Sequence, residues 1–196
     1  MYVRDAKNRD EAWLLDEIER IGLDDAAFRS RDYVIAVDEE SGDRAGFGRL
    51  RIHKTDGGER IELTGIGVLP EWRGRGVGAH VIERLVDTAA ASGFETVHVL
   101  TDEPDYLTQF GFERVADDEL PPVFRDRLAT KRERLGDDVA SLRIDVDGFE
   151  MPNRLRDAFK RAAEADHPDD EGGSTESPED FGIDPENATY KYDTGR

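Results

Sequence analysis

The chain has 196 residues, 46 of them acidic and 27 basic, for a formal charge of −19, and it contains no cysteine. That length supports one core with an appendage, while the missing cysteines exclude a disulfide framework, a thiol nucleophile and a cysteine metal site. The charge argues against nucleic acid and anionic membrane surfaces as partners.

No metal site is expected, because His53, His80, His98 and His167 show no ligand spacing. No apolar run approaches the roughly 18 residues of a spanning helix. The opening Met1-Tyr-Val-Arg-Asp lacks a signal-peptide pattern, so a soluble cytoplasmic protein without membrane association is expected. Only five of the basic residues are lysine. Excess carboxylate with scarce lysine suits a protein working in concentrated salt, where repulsion is screened over short distances; ordinary cytosolic acidity is the alternative.

In chain order, a short strand is expected over 2–4, then a helix whose Leu14, Ile18 and Ile21 fall at helical spacing. Asn8 or Asp10 can cap it and Gly22 ends it. A second short helix is expected over 24–30, and Tyr33-Val-Ile-Ala-Val37 reads as an unbroken apolar strand. Strands over 45–54 and 59–69 flank Thr55-Asp-Gly-Gly58, a hairpin turn. After the stretch Arg73-Gly-Arg-Gly-Val-Gly78, residues Val77, Val81, Ile82, Leu85, Val86 and Ala89 line one face of a helix ending at Gly93. A strand follows over 95–100. Strand, helix, strand at this spacing is a right-handed parallel crossover, so the sheet is mixed.

Further on, a short helix over 105–110 is closed by Gly111 and followed by a strand over 112–115. A helix over 121–135 accepts proline in its first turn. A last strand is expected over 139–146 and a last helix over 154–165. From 166 on, ten acidic residues stand against Lys191 and Arg196 with almost nothing apolar between them. Such a tail cannot bury enough surface to offset its ordering entropy and is expected to be disordered.

The glycine stretch carries the chemistry. Glycine lets backbone N–H groups point inward with no Cβ in the way, and a helix start adds orphan donors and a positive dipole end. Together they make a seat for a phosphate or pyrophosphate. A plain glycine-rich turn is one reading. A dinucleotide fold is a second, since Gly74-Arg-Gly-Val-Gly-Ala79 satisfies the looser GxGxxG/A pattern. Against the second, Leu69-Pro-Glu-Trp-Arg73 separates strand from loop, and the loop follows a hairpin.

The third reading is a resemblance. Val68-Leu-Pro-Glu-Trp-Arg-Gly-Arg-Gly-Val-Gly78 resembles the acetyl-CoA signature (Q/R)xxGx(G/A) of the GNAT superfamily of N-acyltransferases. Tyr106-Leu-Thr-Gln-Phe-Gly-Phe112 resembles its second landmark, an aromatic pair followed by Gly-Phe. The resemblance implies an α/β fold with a mixed sheet: a GNAT domain over 1–135, an extension over 136–165 packed on or near it, and the acidic tail over 166–196. It implies acetyl-CoA as co-substrate and no metal. Amides of Arg73, Gly74, Arg75, Gly76, Val77, Gly78 and Ala79 would hold the pyrophosphate. Backbone groups of Ile66, Gly67 and Val68 would pair with pantetheine as a surrogate strand.

Acyl transfer to an amine needs a neutral amine. A lysine-like amine of pKa ~10.4 is neutral in roughly one molecule in two thousand at pH 7, whereas the departing thiol, near ~8.5, leaves with little help. Glu62 is the candidate base. Strand alternation puts it on one face with Thr64, Ile66 and Val68, and some histone-type members carry a base glutamate at this offset; a solvated glutamate on an outer face is the alternative. The usual catalytic tyrosine position is Leu107 here, which leaves the neighbouring Tyr106 as candidate acid or as a packing aromatic.

That departure is similar to the acetyltransferase domains of N-acetylglutamate synthases, which also follow Gly-Phe with a Leu-Pro and a basic helix. On the helix from 121, Arg127, Lys131 and Arg134 share one face at offsets of four and seven and are candidates to grip an acceptor's carboxylate; a solvated face is the alternative. The expected activity is acetylation of a free amino acid or other small amine. A protein N-terminal or lysine acetyltransferase and an acyl-CoA-binding regulator with decayed chemistry are the alternatives, and a homodimer is compatible with the sequence.

Overall fold

The computed structural model describes residues 1–23 and 27–164. The acidic tail, and part of the short helix expected over 24–30, lie outside those residues; within them, Ser30–Asp32 forms a single 3-10 turn.

Chain order gives β1 (Tyr2–Asp5), α1 (Glu11–Ile21), β2 (Tyr33–Val37), β3 (Arg44–Thr55), β4 (Gly58–Val68), α2 (Val77–Ala91), β5 (Thr96–Thr101), α3 (Pro104–Thr108), β6 (Glu113–Arg114), α4 (Pro122–Leu135), β7 (Ala140–Asp145) and α5 (Asn153–Glu164). The strands form one mixed sheet in the order β1-β2-β3-β4-β5-β7-β6. Among the described residues only β4 and β5 run parallel, joined by the crossover through α2. The segment expected as an extension supplies β7, which lies inside the sheet between β5 and β6.

Two faces of the sheet are covered. On one, Val77, Val81, Ile82 and Leu85 of α2 pack with Leu63, Val97, Val99, Leu142 and Ile144, and α5 adds Phe159. On the other, Leu14 and Ile18 of α1 pack on Tyr33, Ile35 and Phe47, and Phe124 and Leu128 of α4 pack on Leu100 and Val139. Glycines at 46 and 48 let α2 lie close: a Cβ at Gly46 would stand 2.9 Å from Val77, and one at Gly48 2.8 Å from Val81.

Asp10 stands at the N-cap of α1 without a side-chain cap bond to that helix. Its buried carboxylate instead accepts from the Lys7 amide at 2.9 Å, from Arg4 at 2.7 and 3.0 Å, and from Arg44 at 3.1 Å. The Arg4 guanidinium is the main reason it sits well below the usual carboxylate range. The network pins β1, α1 and β3 together.

A bulge in β4 overturns one expectation. Arg49 faces Thr64 and Phe47 faces Gly67, so Gly65 and Ile66 together oppose the single residue Gly48. Gly65 takes φ +60°, the left-handed conformation that glycine tolerates. The extra residue switches the alternation. Glu62 and Thr64 face the α1 and α4 side, opposite Arg51 and Arg49, whereas Ile66 packs over Gly48 toward α2 and Val68 lies against Gly78. The four residues therefore do not share one face.

Candidate active site

Three parts of the fold make up the candidate site. The first is the splay of two parallel strands. β4 and β5 pair only at Ile61↔Val97, Glu62↔His98 and Leu63↔Val99. Past Leu63 they part, so the β4 edge over Thr64–Val68 has no ladder partner on the β5 side among the described residues. Ile66, Gly67 and Val68, expected to meet pantetheine, lie on this freed stretch.

The second part is the glycine loop. A 3-10 turn at Pro70–Trp72 leads into it, and Gly76, in the left-handed conformation at φ +74°, is the N-cap of α2. Gly74 takes the same φ. Among the described residues, no backbone carbonyl accepts from the amides of Gly74 through Ala79. Six consecutive free amides at a helix start are what a phosphate or pyrophosphate needs. Arg73 turns its Nε toward the Val68 carbonyl at 3.3 Å, and Arg75 lies over the Trp72 ring at 5.1 Å. Both cations therefore stay beside the loop in a chain of charge −19.

The third part is the cleft itself, a cavity of about 270 Å³ in the gap between the parted strands. Its floor is apolar, with Ile66, Ile82, Val99 and Leu107, and its rim is charged, with Lys131 and Arg134 from α4 and Asp102 and Glu103 after β5. Lys131 Nζ also donates to the Leu100 carbonyl at 2.7 Å. The helical spacing that paired Lys131 with Arg134 thus brings both to one opening. Arg127 does not line it.

Arg127 is committed elsewhere. Its Nε and Nη2 donate to the two oxygens of Glu62 at 2.7 and 3.1 Å, a bidentate pair, and His53 Nε2 donates to Glu62 Oε2 at 2.8 Å. Glu62 is fully buried, so it is not a solvated strand residue. Burial alone would raise its pKa, but the bonds from His53 and Arg127 outweigh that and hold it at about 2. Behind it, His98 packs on Phe124 with ring centres 4.5 Å apart. Burial, aided by Arg60 and Arg143, lowers His98 to about 4 and keeps it neutral.

Tyr106 also lines the cleft. Its ring meets Phe110 edge-on, and its hydroxyl lies 3.2 Å from where a Cβ on Gly78 would stand, close to the first turn of α2. Burial pushes its pKa up, with Arg154 opposing, so the hydroxyl stays protonated at neutral pH. Leu107, at the usual tyrosine position, is buried in the core.

Sequence reasoning missed the Glu62–Arg127 pair, because the partners are 65 residues apart. It also missed Asp102 and Glu103, whose position right after β5 was the available signal. Among the described residues no cluster of His, Asp and Glu is arranged to hold a metal ion, and no helix is long and apolar enough to cross a membrane.

Comparisons with known proteins agree with this geometry. The model of the acetyltransferase (GNAT) family matches residues 2–112. Comparison with curated proteins gives no match. Among solved structures, the chain is similar to N-acetylglutamate synthase from Neisseria gonorrhoeae complexed with coenzyme A and N-acetyl-glutamate, at 19% identity and TM-score 0.59, over 74% of this chain and 35% of that one. It thus spans about a third of that synthase's length. A Mycobacterium tuberculosis protein in complex with CoA is similar at 18% identity and TM-score 0.61, over 74% of this chain and 99% of that one. An arylalkylamine N-acetyltransferase of the mosquito Aedes aegypti, named as such provisionally, is similar at 14% identity and TM-score 0.55, over 74% and 87%. These likenesses show the fold. With the splayed strands, the free amides of the glycine loop and a family match over more than half its length, the chain belongs to the GNAT family of acetyltransferases, enzymes whose acyl donor is acetyl-CoA.

Proposed function

We propose that the chain acetylates the amine of a small acceptor that also carries a carboxylate, a free amino acid or a close relative. The observation that carries this is the rim of the cleft: Lys131 and Arg134 stand with Asp102 and Glu103 around an apolar floor. Cations suit the acceptor's carboxylate, and carboxylates suit its ammonium and pass its proton to solvent. The similarity to a synthase that binds N-acetyl-glutamate supports the same class of acceptor.

In this reading acetyl-CoA lies with its phosphates on the amides of 74–79, beside Arg73 and Arg75, and with its pantetheine along the freed edge of Ile66 to Val68. The coenzyme supplies the activated acyl group. The chain supplies position, an amide of β4 near the thioester carbonyl, and a route for the proton. Glu62 was expected to take that proton. A carboxylate held at about 2 by Arg127 and His53 is a weak proton acceptor, and Glu62 stands behind the cleft rather than on its lining. Its geometry supports a positioning role instead, in which Glu62 fixes Arg127 and so seats α4, the helix that presents Lys131 and Arg134.

Steady-state turnover of acetyl-CoA against a panel of amino acids, their amides, arylalkylamines and N-terminal peptides, at low and high potassium chloride, tests the proposal. The highest kcat/KM should fall on acceptors with a free carboxylate, and amidation should raise KM. A peptide or arylalkylamine at the head of the panel would refute it.

A further inference from the structure

α5 lies beyond the family-matched segment, yet it is seated on the coenzyme loop. Gly76 is buried, and a Cβ added there would stand 2.3 Å from the Leu155 carbonyl oxygen and 3.1 Å from the Phe159 nitrogen. One turn along α2, the His80 ring stacks on Phe159 with centres 3.7 Å apart and planes 11° apart. The same imidazole donates through Nδ1 to the Gly76 carbonyl at 3.0 Å. On one side of α5, Arg156 reaches Glu83 of α2 at 3.1 Å; on another, Arg154 bonds Gln109, which ends α3. α5 therefore bridges the start of α2 and the end of α3. It also carries Arg154, Arg156, Lys160 and Arg161 against Asp157 and Glu164, a local positive excess in an anionic chain.

We propose that α5 is the outer wall of the coenzyme's phosphate seat, with Phe159 and His80 as positioning residues that hold the Gly76 turn in its amide-presenting shape. The proposal rests on the reading that the 74–79 loop holds the coenzyme phosphates. A glycine moves between right- and left-handed backbone basins at little cost, so a turn with left-handed glycines at 74 and 76 is held only weakly by its own backbone. Leu155 and Phe159 press on Gly76 so closely that not even a Cβ fits there, and His80 ties its carbonyl to the same stack. Donors fixed before the ligand arrives need no ordering on binding, and that saving appears as affinity.

The test is calorimetry with coenzyme A on the full chain, together with acetyl-transfer kinetics. Phe159→Ala should raise the coenzyme Kd at least fivefold while kcat at saturating acetyl-CoA and the acceptor KM hold, and Phe159→Tyr should restore the affinity. Gly76→Ala, which drives a methyl into the Leu155 carbonyl, should also weaken binding. The double variant should be no weaker than Gly76→Ala alone, because both changes act through one contact. Unchanged or tighter binding by Phe159→Ala, or strictly additive losses, would overturn the proposal. If Phe159→Ala does not fold, His80→Leu at a half-buried position carries the same expectation and the same refutation. Absence of coenzyme binding by the unaltered chain would refute the loop's assignment instead.

Discussion

Gly74→Asp is the sharpest probe of the proposed phosphate seat, and the structure says why it is better than the same change at Gly76. At Gly76 any Cβ meets the α5 backbone at 2.3 Å, so lost affinity there would mix sterics with charge. At Gly74 an added Cβ meets nothing within 4 Å, and only φ +74° must be tolerated. Asp and Asn tolerate that region better than other residues, so Gly74→Asn is a control of the same shape without the charge. At ~6 Å from a phosphate, one carboxylate costs about 0.7 kcal/mol at the dielectric of water and about 3 kcal/mol at an effective value near 20. With two phosphates nearby and partial exposure, Asp should bind coenzyme A about ten- to a hundredfold more weakly than Asn. Calorimetry on both variants measures the ratio. It should shrink in ~1 M potassium chloride, where the screening length falls to about 3 Å. Equal affinities for Asp and Asn in folded proteins at low salt would mean that no phosphate sits by this loop.

Glu62→Gln breaks a buried pair from one side and should cost about 3–5 kcal/mol in urea unfolding at pH 7. Because the folded pKa of Glu62 is depressed from 4.5 to about 2, its contribution is full above pH 4.5 and drains as pH falls toward 2. The gap between wild type and variant should close over that window, and a constant gap would show that the pair is not ionic. Lys131→Ala and Arg134→Ala should each raise acceptor KM severalfold with kcat nearly intact, the signature of uniform binding, and the effect should vanish for an amidated acceptor; unmoved KM values refute carboxylate capture. Tyr106→Phe should cost less than tenfold in kcat at saturating acetyl-CoA, since the departing thiolate needs little help, and a larger loss would make its hydroxyl the acid.

The chain order of the elements up to β5, the hairpin and the glycine loop could be read from local pattern, because apolar runs, the Asp-Gly-Gly turn and the helix-start glycines are each set by neighbours in sequence. The bulge could not. Glu62-Leu-Thr-Gly-Ile-Gly-Val68 reads as continuous strand, and only the left-handed φ of Gly65 reveals the extra residue that turns Ile66 and Val68 away from Glu62. Arg127 shows the same limit from the other direction. Its place one turn before Lys131 was legible from helical spacing, but its bond to Glu62 depends on how α4 crosses the sheet, which no local pattern encodes. The seat of α5 on Gly76 escaped for that reason too, since the strict need for glycine at 76 comes partly from a helix almost eighty residues later.

The place of β7 has a consequence for how the chain acquires its structure. β5 lies between β4 and β7, and β6 has β7 as its partner, so one whole edge of β5 waits for residues 140–145. During synthesis the whole family-matched stretch emerges while that edge is still open, and an unpaired edge of Val97, Val99 and Leu100 invites pairing with another chain. Closure comes only with a strand far along the sequence, a non-local step of the kind that slows folding. A fragment ending near 112 would keep the acetyltransferase motifs and lose the strand that seals them.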